Sequence, residues 1–215
     1  MIDRDLQEKI ISRIPESNGD TTGIERILFA EGITPVAGID EAGRGPLAGP
    51  VVAAAVVLPH DCSIHGITDS KLISHIKRTQ LAAAIKEHAI DVGVGIVEPA
   101  EIDRINILQA TNKAIQIAVD SLSIEPELLL IDGKYLDCHA QRVVSLIKGD
   151  IHCRTIAAAS IIAKVTRDSI MEKLHLSYPM YGFDRHKGYP TTEHKEAIRK
   201  YGLTPVHRRS FRACS

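Results

Sequence analysis

Four acidic residues of this sequence each lie at the end of an apolar run of the kind that forms a buried strand. They are Asp40, Glu41, Asp132 and Asp150. In an α/β sheet, carboxylates at strand ends can meet at one edge, where ligands bind. Like charges raise one another's pKa, so four such groups would stay ionised only beside cations. Oxygen ligands select hard ions such as Mg²⁺ or Mn²⁺, and two such ions can hold the attacking and leaving oxygens of a phosphodiester displacement.

A structural interpretation of the same acids remains open, because Asp and Glu after a strand are also common turn formers and helix caps. Asp40 and Glu41 raise a further question, since adjacent strand residues point to opposite faces of a sheet. The two can share a site only if the strand ends between them, and Gly43 makes such a bend possible.

A glycine-flanked arginine follows the first two carboxylates, at Gly43, Arg44 and Gly45. Such glycines let the backbone approach a ligand closely while the guanidinium reaches a phosphate. A tight hairpin turn explains the glycines equally well, and the position just after Glu41 favours the functional interpretation. Lys71 is a second candidate for a phosphate contact, although a surface lysine in a turn is the commoner case.

Charge is distributed unevenly along the chain, whose net charge is −1 at pH 7. Residues 1–35 contain four basic and seven acidic side chains, whereas residues 184–215 contain eight basic and three acidic ones. Six of the eight aromatic residues lie between Tyr178 and Phe211. Cations interleaved with rings suit a nucleic-acid surface, and a solvated helix face with ordinary core aromatics is the alternative.

Length and composition indicate a folded cytoplasmic protein. A chain of 215 residues can bury a core without disulfides, and 44% hydrophobic with 25% charged residues excludes disordered and collagen-like classes. The longest apolar run, Val51 to Leu58, is too short to span a bilayer. The amino end carries Asp3 and Asp5 and lacks the apolar region of a secretory signal.

The four cysteines indicate free thiols in a reducing compartment, because no two of them form a C-x-x-C pair. A zinc site is the alternative, since three pairs place soft ligands near each other: Cys62 and His65, Cys138 and His139, and His152 and Cys153. These spacings fit no common zinc motif.

The elements that must position these residues alternate between strand and helix. Strands are predicted over residues 36–40, 51–58, 90–97, 128–131 and 143–147. Helices are predicted over residues 74–88, over residues 105–121 with 101–104 as a lead-in, and over residues 154–176. A last helix begins at Thr191 or Thr192 and stops at Gly202. Strands joined first by turns and then by helices imply a mixed sheet in an α/β domain, antiparallel at first and parallel later.

The chain is predicted to divide at residue 35. Residues 1–35 form an acidic helical extension, with one helix over residues 3–14 and another from Thr22 to Phe29. Thr22 and Glu25 form a capping-box pattern for this second helix. Residues 36–215 form the main domain, with a basic helical part at its carboxy end.

The block Gly38-Ile39-Asp40-Glu41-Ala42-Gly43-Arg44-Gly45-Pro46-Leu47 resembles the signature of the type 2 ribonucleases H, and specifically of the ribonuclease HII family. Further blocks agree in order along residues 36–211: Asp69–Lys71, Asn106–Thr111, Leu130–Gly133, Lys148–Asp150, Ala158–Asp168, Tyr181–Thr191 and His207–Phe211.

The resemblance implies an RNase H-like fold, a five-stranded mixed sheet flanked by helices. It also implies an endonuclease that cleaves the RNA strand of RNA/DNA hybrids and the 5′ side of ribonucleotides embedded in duplex DNA. The implied cofactor is divalent Mn²⁺ or Mg²⁺. The implied products carry 3′-hydroxyl and 5′-phosphate ends. We expect a monomer that does not bind a membrane.

The resemblance also assigns roles residue by residue. The family's metal-binding and catalytic carboxylates match Asp40, Glu41, Asp132 and Asp150. The loop that reads the ribose 2′-hydroxyl matches Gly43, Arg44 and Gly45, and the tyrosine that stacks near the ribose–deoxyribose junction matches Tyr189. A close backbone and a ring beside the sugar suit recognition of the 2′-hydroxyl, the group that separates RNA from DNA.

Some features depart from the family pattern, and two alternatives stay open. Leu72 stands where the family often has a second lysine, and the extension of about 35 residues has no counterpart in the minimal enzyme. One alternative is ribonuclease HIII or another metal-dependent nuclease of this fold, against which the Gly-Arg-Gly loop argues. The other is a non-catalytic hybrid-binding module, against which the four intact acids argue.

Overall fold

Five strands form one mixed sheet in the order β3-β2-β1-β4-β5. Their bounds are β1 Val36–Ala42, β2 Val51–Val57, β3 Asp91–Val97, β4 Leu128–Asp132 and β5 Arg142–Leu146. β2 pairs antiparallel with β1 and β3, whereas β4 pairs parallel with β1 and β5. This confirms the predicted α/β class and the change from antiparallel to parallel pairing along the chain.

The structure is a computed structural model, and it describes residues 6, 8, 10, 12, 23–68, 70, 73–133 and 142–212. Helices within these ranges are α1 Gly23–Ala30, α2 His75–His88, α3 Pro99–Asp120, α4 Gly149–His152, α5 Arg154–Ser177, α6 Phe183–His186 and α7 Thr192–Tyr201. Of the predicted helix over residues 3–14, only Leu6, Glu8, Ile10 and Ser12 are described, and all four are helical. No helix in the described part of the chain is both long and apolar enough to cross a membrane.

Local capping explains the starts of two helices. The side chains of Ser74 and Thr191 accept the backbone N–H of Lys77 and His194, which fixes the predicted starts of α2 and α7. The prediction for α3 is wrong at its start, because the helix begins at Pro99 and is kinked at Asn106, whose φ is 68°. The Asn106 carboxamide accepts the N–H groups of the next turn and so restarts the helix there.

Helices cover both faces of the sheet. One core cluster joins β2 residues such as Ala53 and Ala55 to α3, and another joins Ala54 and Val56 to α2 and α5. Because successive residues of β2 face opposite layers and all are buried, the strand is apolar throughout.

β1 presents alternate residues to the two layers. Its residue Ile39 faces the α3 layer, so Gly38 and Asp40 face α5. A side chain at Gly38 would overlap the backbone of Thr155 and Ile156, so glycine lets α5 pack directly on β1 two residues before Asp40.

The amino-terminal extension contributes to a third cluster. Ile24 and Leu28 of α1, together with Ile33, are buried against Leu128, Leu130 and other residues of the β4–β5 half of the sheet. The division into units 1–35 and 36–215 stays a prediction.

Candidate active site

Two carboxylates lie side by side on the central parallel strands. The parallel register pairs Ile39 of β1 with Ile131 of β4, so Asp40 and Asp132 follow at equivalent positions on neighbouring strands. Asp40 is 6% exposed, and its Oδ1 accepts the backbone N–H of Glu41 at 2.7 Å. The parallel pairing of β1 with β4 therefore brings the two carboxylates together.

Asp150 reaches the same edge by a different route. β5 ends at Leu146, so the predicted extension of this strand to residue 147 is wrong. Lys148 adopts a left-handed conformation with φ 58°, which turns the chain into α4 and places Asp150 in its first turn. Asp132 Oδ1 accepts the N–H of Gly149 at 2.7 Å and ties this turn to β4.

Asp40, Asp132 and Asp150 each offer one carboxylate oxygen to a group whose atoms all lie within 4.8 Å of one another. Burial, followed by the negative charges of Glu41 and Asp132, raises the pKa of Asp40 well above its usual value. A cation would relieve this repulsion, and an all-carboxylate donor set suits a hard dication. The three residues therefore fit a Mg²⁺ or Mn²⁺ ion.

Glu41 is the one predicted ligand that stands outside this three-carboxylate group. β1 continues to Ala42, so the strand does not end between Asp40 and Glu41 and their side chains diverge. The Glu41 carboxylate pairs instead with Arg44, at 3.2 Å from Oε1 to Nη1. Burial raises the pKa of Glu41, although the Arg44 guanidinium opposes the shift.

A buried hydroxyl pair supports Asp40 from the α5 side. Ser160 of α5 hydrogen-bonds to Asp40 and acts to lower its pKa, and Ser70 lies 2.8 Å from the Ser160 hydroxyl. Ser160 can donate to Asp40 while it accepts from Ser70. On the same helix Lys164 pairs with Asp168 at 2.7 Å, as oppositely charged residues four positions apart on a helix can do. Lys71 lies outside the described residues.

Two buried arginines hold the glycine-flanked loop in place. Arg208, which is 0% exposed, donates to the carbonyls of Gly43, Arg44 and Gly49 at 2.6 to 3.1 Å. Arg167 of α5 donates to the carbonyls of Pro50, Ala48 and Lys187. Gly43 has φ 97°, and a side chain there would overlap Arg167. No sequence pattern predicts these supports, because the charge of an arginine favours assigning it to the surface.

Tyr189 adjoins this loop. A Cβ placed on Gly45 would lie 3.7 Å from the Tyr189 ring, which is 44% exposed. The Tyr189 carbonyl accepts from Nδ1 of His194, whose Nε2 lies 3.1 Å from Nε2 of His207. His207 Nδ1 accepts the N–H of Thr204, so its Nε2 carries the proton that bridges to His194. Two neutral histidines thus tie Tyr189 to the carboxy-terminal segment.

The described residues hold no second group of three or more His, Cys, Asp or Glu side chains arranged for a metal. Cys62 and Cys153 are buried free thiols, as predicted, and Cys138 and Cys214 lie outside the described residues.

Two solved ribonucleases share this architecture. A ribonuclease H2 crystal structure from Pyrococcus horikoshii matches 84% of this chain and 95% of its own, with a TM-score of 0.73 and 30% identity. The RNase HII of a PCNA complex from Archaeoglobus fulgidus matches 83% of this chain and 96% of its own, with a TM-score of 0.70 and 27% identity. The fold and its carboxylate edge define a ribonuclease H.

The sequence places the chain more narrowly. The Ribonuclease HII family profile matches residues 37–214. Ribonuclease HII of Acetivibrio thermocellus is 54% identical over 87% of this chain and 73% of its own length. That of Geobacillus thermodenitrificans is 58% identical over 87% and 72%. The chain belongs to the ribonuclease HII family and is an endonuclease of the ribonuclease H class. Neither the ribonuclease HIII alternative nor the non-catalytic module is supported.

Proposed function

We propose that this enzyme cleaves the RNA strand of RNA/DNA hybrids and cuts duplex DNA on the 5′ side of embedded ribonucleotides. The convergence of Asp40, Asp132 and Asp150 from three separate segments carries the proposal. Membership of the ribonuclease HII family supports the substrate class.

Asp40, Asp132 and Asp150 are proposed to hold divalent Mn²⁺ or Mg²⁺. When bound, such ions would supply Lewis-acid chemistry, namely activation of a water for attack on phosphorus and stabilisation of the departing 3′ oxygen, with 3′-hydroxyl and 5′-phosphate ends as products. Glu41 is proposed as a fourth ligand that exchanges its Arg44 partner for a cation. This exchange would also release the Arg44 guanidinium, 53% exposed, toward the substrate.

Gly43, Arg44, Gly45 and Tyr189 are proposed to read the ribose. The loop and the ring adjoin, and Arg208 turns the carbonyls of Gly43 and Arg44 inward. A ring beside the sugar and a closely approaching backbone can distinguish a 2′-hydroxyl from a hydrogen. Lys71 is proposed to contact a phosphate.

We further propose that the enzyme works as a monomer in the cytoplasm. The buried free thiols Cys62 and Cys153 are in keeping with a reducing compartment.

A duplex DNA that carries a single ribonucleotide tests the proposed function. The cut site is mapped with Mn²⁺, with Mg²⁺ and with EDTA, and an all-DNA duplex of the same sequence is the control. We expect metal-dependent cleavage 5′ to the ribonucleotide and no cleavage of the control. Replacing Arg44 by Ala should reduce the preference for the ribose more than the affinity for plain duplex. Metal-independent cutting, or equal cutting of both duplexes, would refute the proposal.

A further inference from the structure

Glu25 of the amino-terminal extension caps α5, the 24-residue helix that packs on β1. Its Oε1 accepts the backbone N–H and the hydroxyl of Thr155, both at 2.8 Å, and the thiol of Cys153 at 3.1 Å. Cys153, the residue at the N-cap of α5, makes no capping hydrogen bond with its own side chain. A carboxylate supplied from another helix therefore satisfies these donors, and its charge complements the helix dipole.

The sequence predicts that Glu25 forms a capping box with Thr22 at the start of its own helix. The Glu25 contacts described here are with Cys153 and Thr155, which belong to a distant segment of the chain. Thr22 itself lies outside the described residues. Burial, and then the charge of Glu25, raises the pKa of Cys153 well above its usual value. The thiol therefore keeps the proton that it donates to Glu25.

The capped junction adjoins the carboxylate Asp150. Cys153 ends α4 with a hydrogen bond from its N–H to the Gly149 carbonyl at 2.8 Å, and it also begins α5. A helix of four residues has too few internal hydrogen bonds to fix its own orientation. Its start is held by Asp132 through the Gly149 N–H, and its end is held by Glu25 through Cys153.

The helix that carries Glu25 is itself firmly placed. Ile24 is 1% exposed and Leu28 is 0% exposed, and both pack against Leu128, Leu130 and Ile156. The helix that carries the Glu25 carboxylate is thus held in place by buried contacts on both sides of Glu25 in the sequence.

We propose that Glu25 is a positioning residue for Asp150. Through Glu25, the amino-terminal extension holds Asp150 in the orientation in which the three-carboxylate group binds a divalent cation. The inference rests on the proposed metal site and adds to it a positioning residue from the predicted extension, residues 1–35. Glu25 acts through Cys153 and Thr155, and it does not contact the metal.

Mn²⁺ affinity, measured by electron paramagnetic resonance without substrate, tests this role in a double-mutant cycle with Asp150. Glu25→Ala should weaken Mn²⁺ binding by up to about fivefold, the limit reached when the whole free energy of one helix cap holds Asp150 in place. In an Asp150→Asn background the same substitution should weaken it no further, because the residue through which Glu25 acts no longer offers a full carboxylate. Glu87→Ala, on the exposed face of α2, is the matched control and should leave affinity unchanged.

A purely structural cap predicts a different pattern. It would lower thermal stability in both backgrounds and leave Mn²⁺ affinity unchanged, or weaken it equally in both, and either result overturns the proposal. Should Glu25→Ala not fold, Thr155→Val removes only the hydroxyl partner and should weaken Mn²⁺ binding in the same Asp150-dependent way. A wild-type protein that binds no Mn²⁺ would refute the metal site itself, whereas normal binding with indifferent variants would refute only the role of Glu25.

Discussion

Single side chains at the carboxylate edge are arranged for cation binding at the expense of stability. Asp40 is buried beside two other acids, and its raised pKa shows that its charged form is disfavoured in the metal-free protein. Metal-binding sites often contain such locally destabilising residues, and interactions elsewhere in the fold must offset the stability that they cost.

Asp40→Asn should therefore abolish cleavage and raise the stability of the metal-free protein. The amide can still accept the Glu41 N–H but removes a buried charge, so at pH 7 in EDTA we expect a gain of about 1 kcal/mol, or about 2–4 °C in Tm. A carboxyl whose pKa is raised on folding costs stability above its unfolded pKa, so this gain should vanish as pH falls below about 4. Thermal unfolding followed by circular dichroism measures both.

Asp103→Asn is the matched control, with the opposite sign. Partial burial opposes ionisation of Asp103, but hydrogen bonds from Ser210 and Arg209 outweigh it and lower its pKa. Its ionised form thus stabilises the fold at pH 7, and the amide should lower Tm. A fall in Tm for Asp40→Asn as well would contradict the view that the site is destabilised by its own charge.

Residue types and apolar runs predict the four carboxylates and part of their grouping. Apolar runs that end in an acid predict that Asp40 and Asp132 come together, and the parallel pairing of β1 with β4 does bring them to equivalent positions. Their catalytic roles stay a prediction. Asp150 joins them through a left-handed turn at Lys148, and Glu41 leaves the group because β1 continues past it. Both outcomes depend on backbone geometry that residue types do not specify.

Helices, strands and loops form the next level, where the carboxy-terminal segment supports the glycine-flanked loop. Ala48 pairs with His207 in a short β-bridge, and the Arg208 N–H donates to the Leu47 carbonyl. The buried Arg208 guanidinium donates to two carbonyls of the loop, those of Gly43 and Arg44, and to that of Gly49, so this segment holds the loop in place.

Arg208→Lys should loosen that loop. A lysine cannot reproduce the planar fork of donors, so buried carbonyls lose partners and we expect a loss of about 3 kcal/mol in the free energy of unfolding. Urea denaturation measures this loss, and the KM for a ribonucleotide-containing duplex should rise with it. The neighbouring substitution Arg209→Lys, at an exposed side chain, should change stability by less than about 0.5 kcal/mol. Equal stability of the two variants would show that Arg208 does not support the loop.

Periodicity and capping residues predicted most elements, including the long helix α5 and the starts of α2 and α7. They could not predict the features that depend on tertiary contacts. The kink at Asn106 depends on a side chain that restarts a helix already begun at Pro99. The inward direction of Arg167 and Arg208 depends on carbonyls contributed by a loop far away in sequence.

At the scale of the whole molecule, the fold determines which of the basic side chains remain available at the surface. The carboxy-terminal excess of basic residues suggests a nucleic-acid surface, yet part of it serves the protein itself. Arg208 is buried, Lys187 pairs with Glu172 at 2.8 Å, and Arg185 pairs with Glu193. The exposed cations that can face phosphates include Lys195 and Arg199 of α7 and Arg209 beyond it. Composition overstates the basic surface because it does not show which cations are buried or paired with carboxylates of the same chain.

That three carboxylates from separate segments meet to bind a divalent cation is tested most directly by anomalous diffraction. Crystals of the protein grown with MnCl₂ should show a manganese peak bounded by Asp40, Asp132 and Asp150, and the peak should be lost in Asp40→Asn crystals. A manganese peak elsewhere, or none beside these carboxylates at millimolar Mn²⁺, would contradict the proposed site.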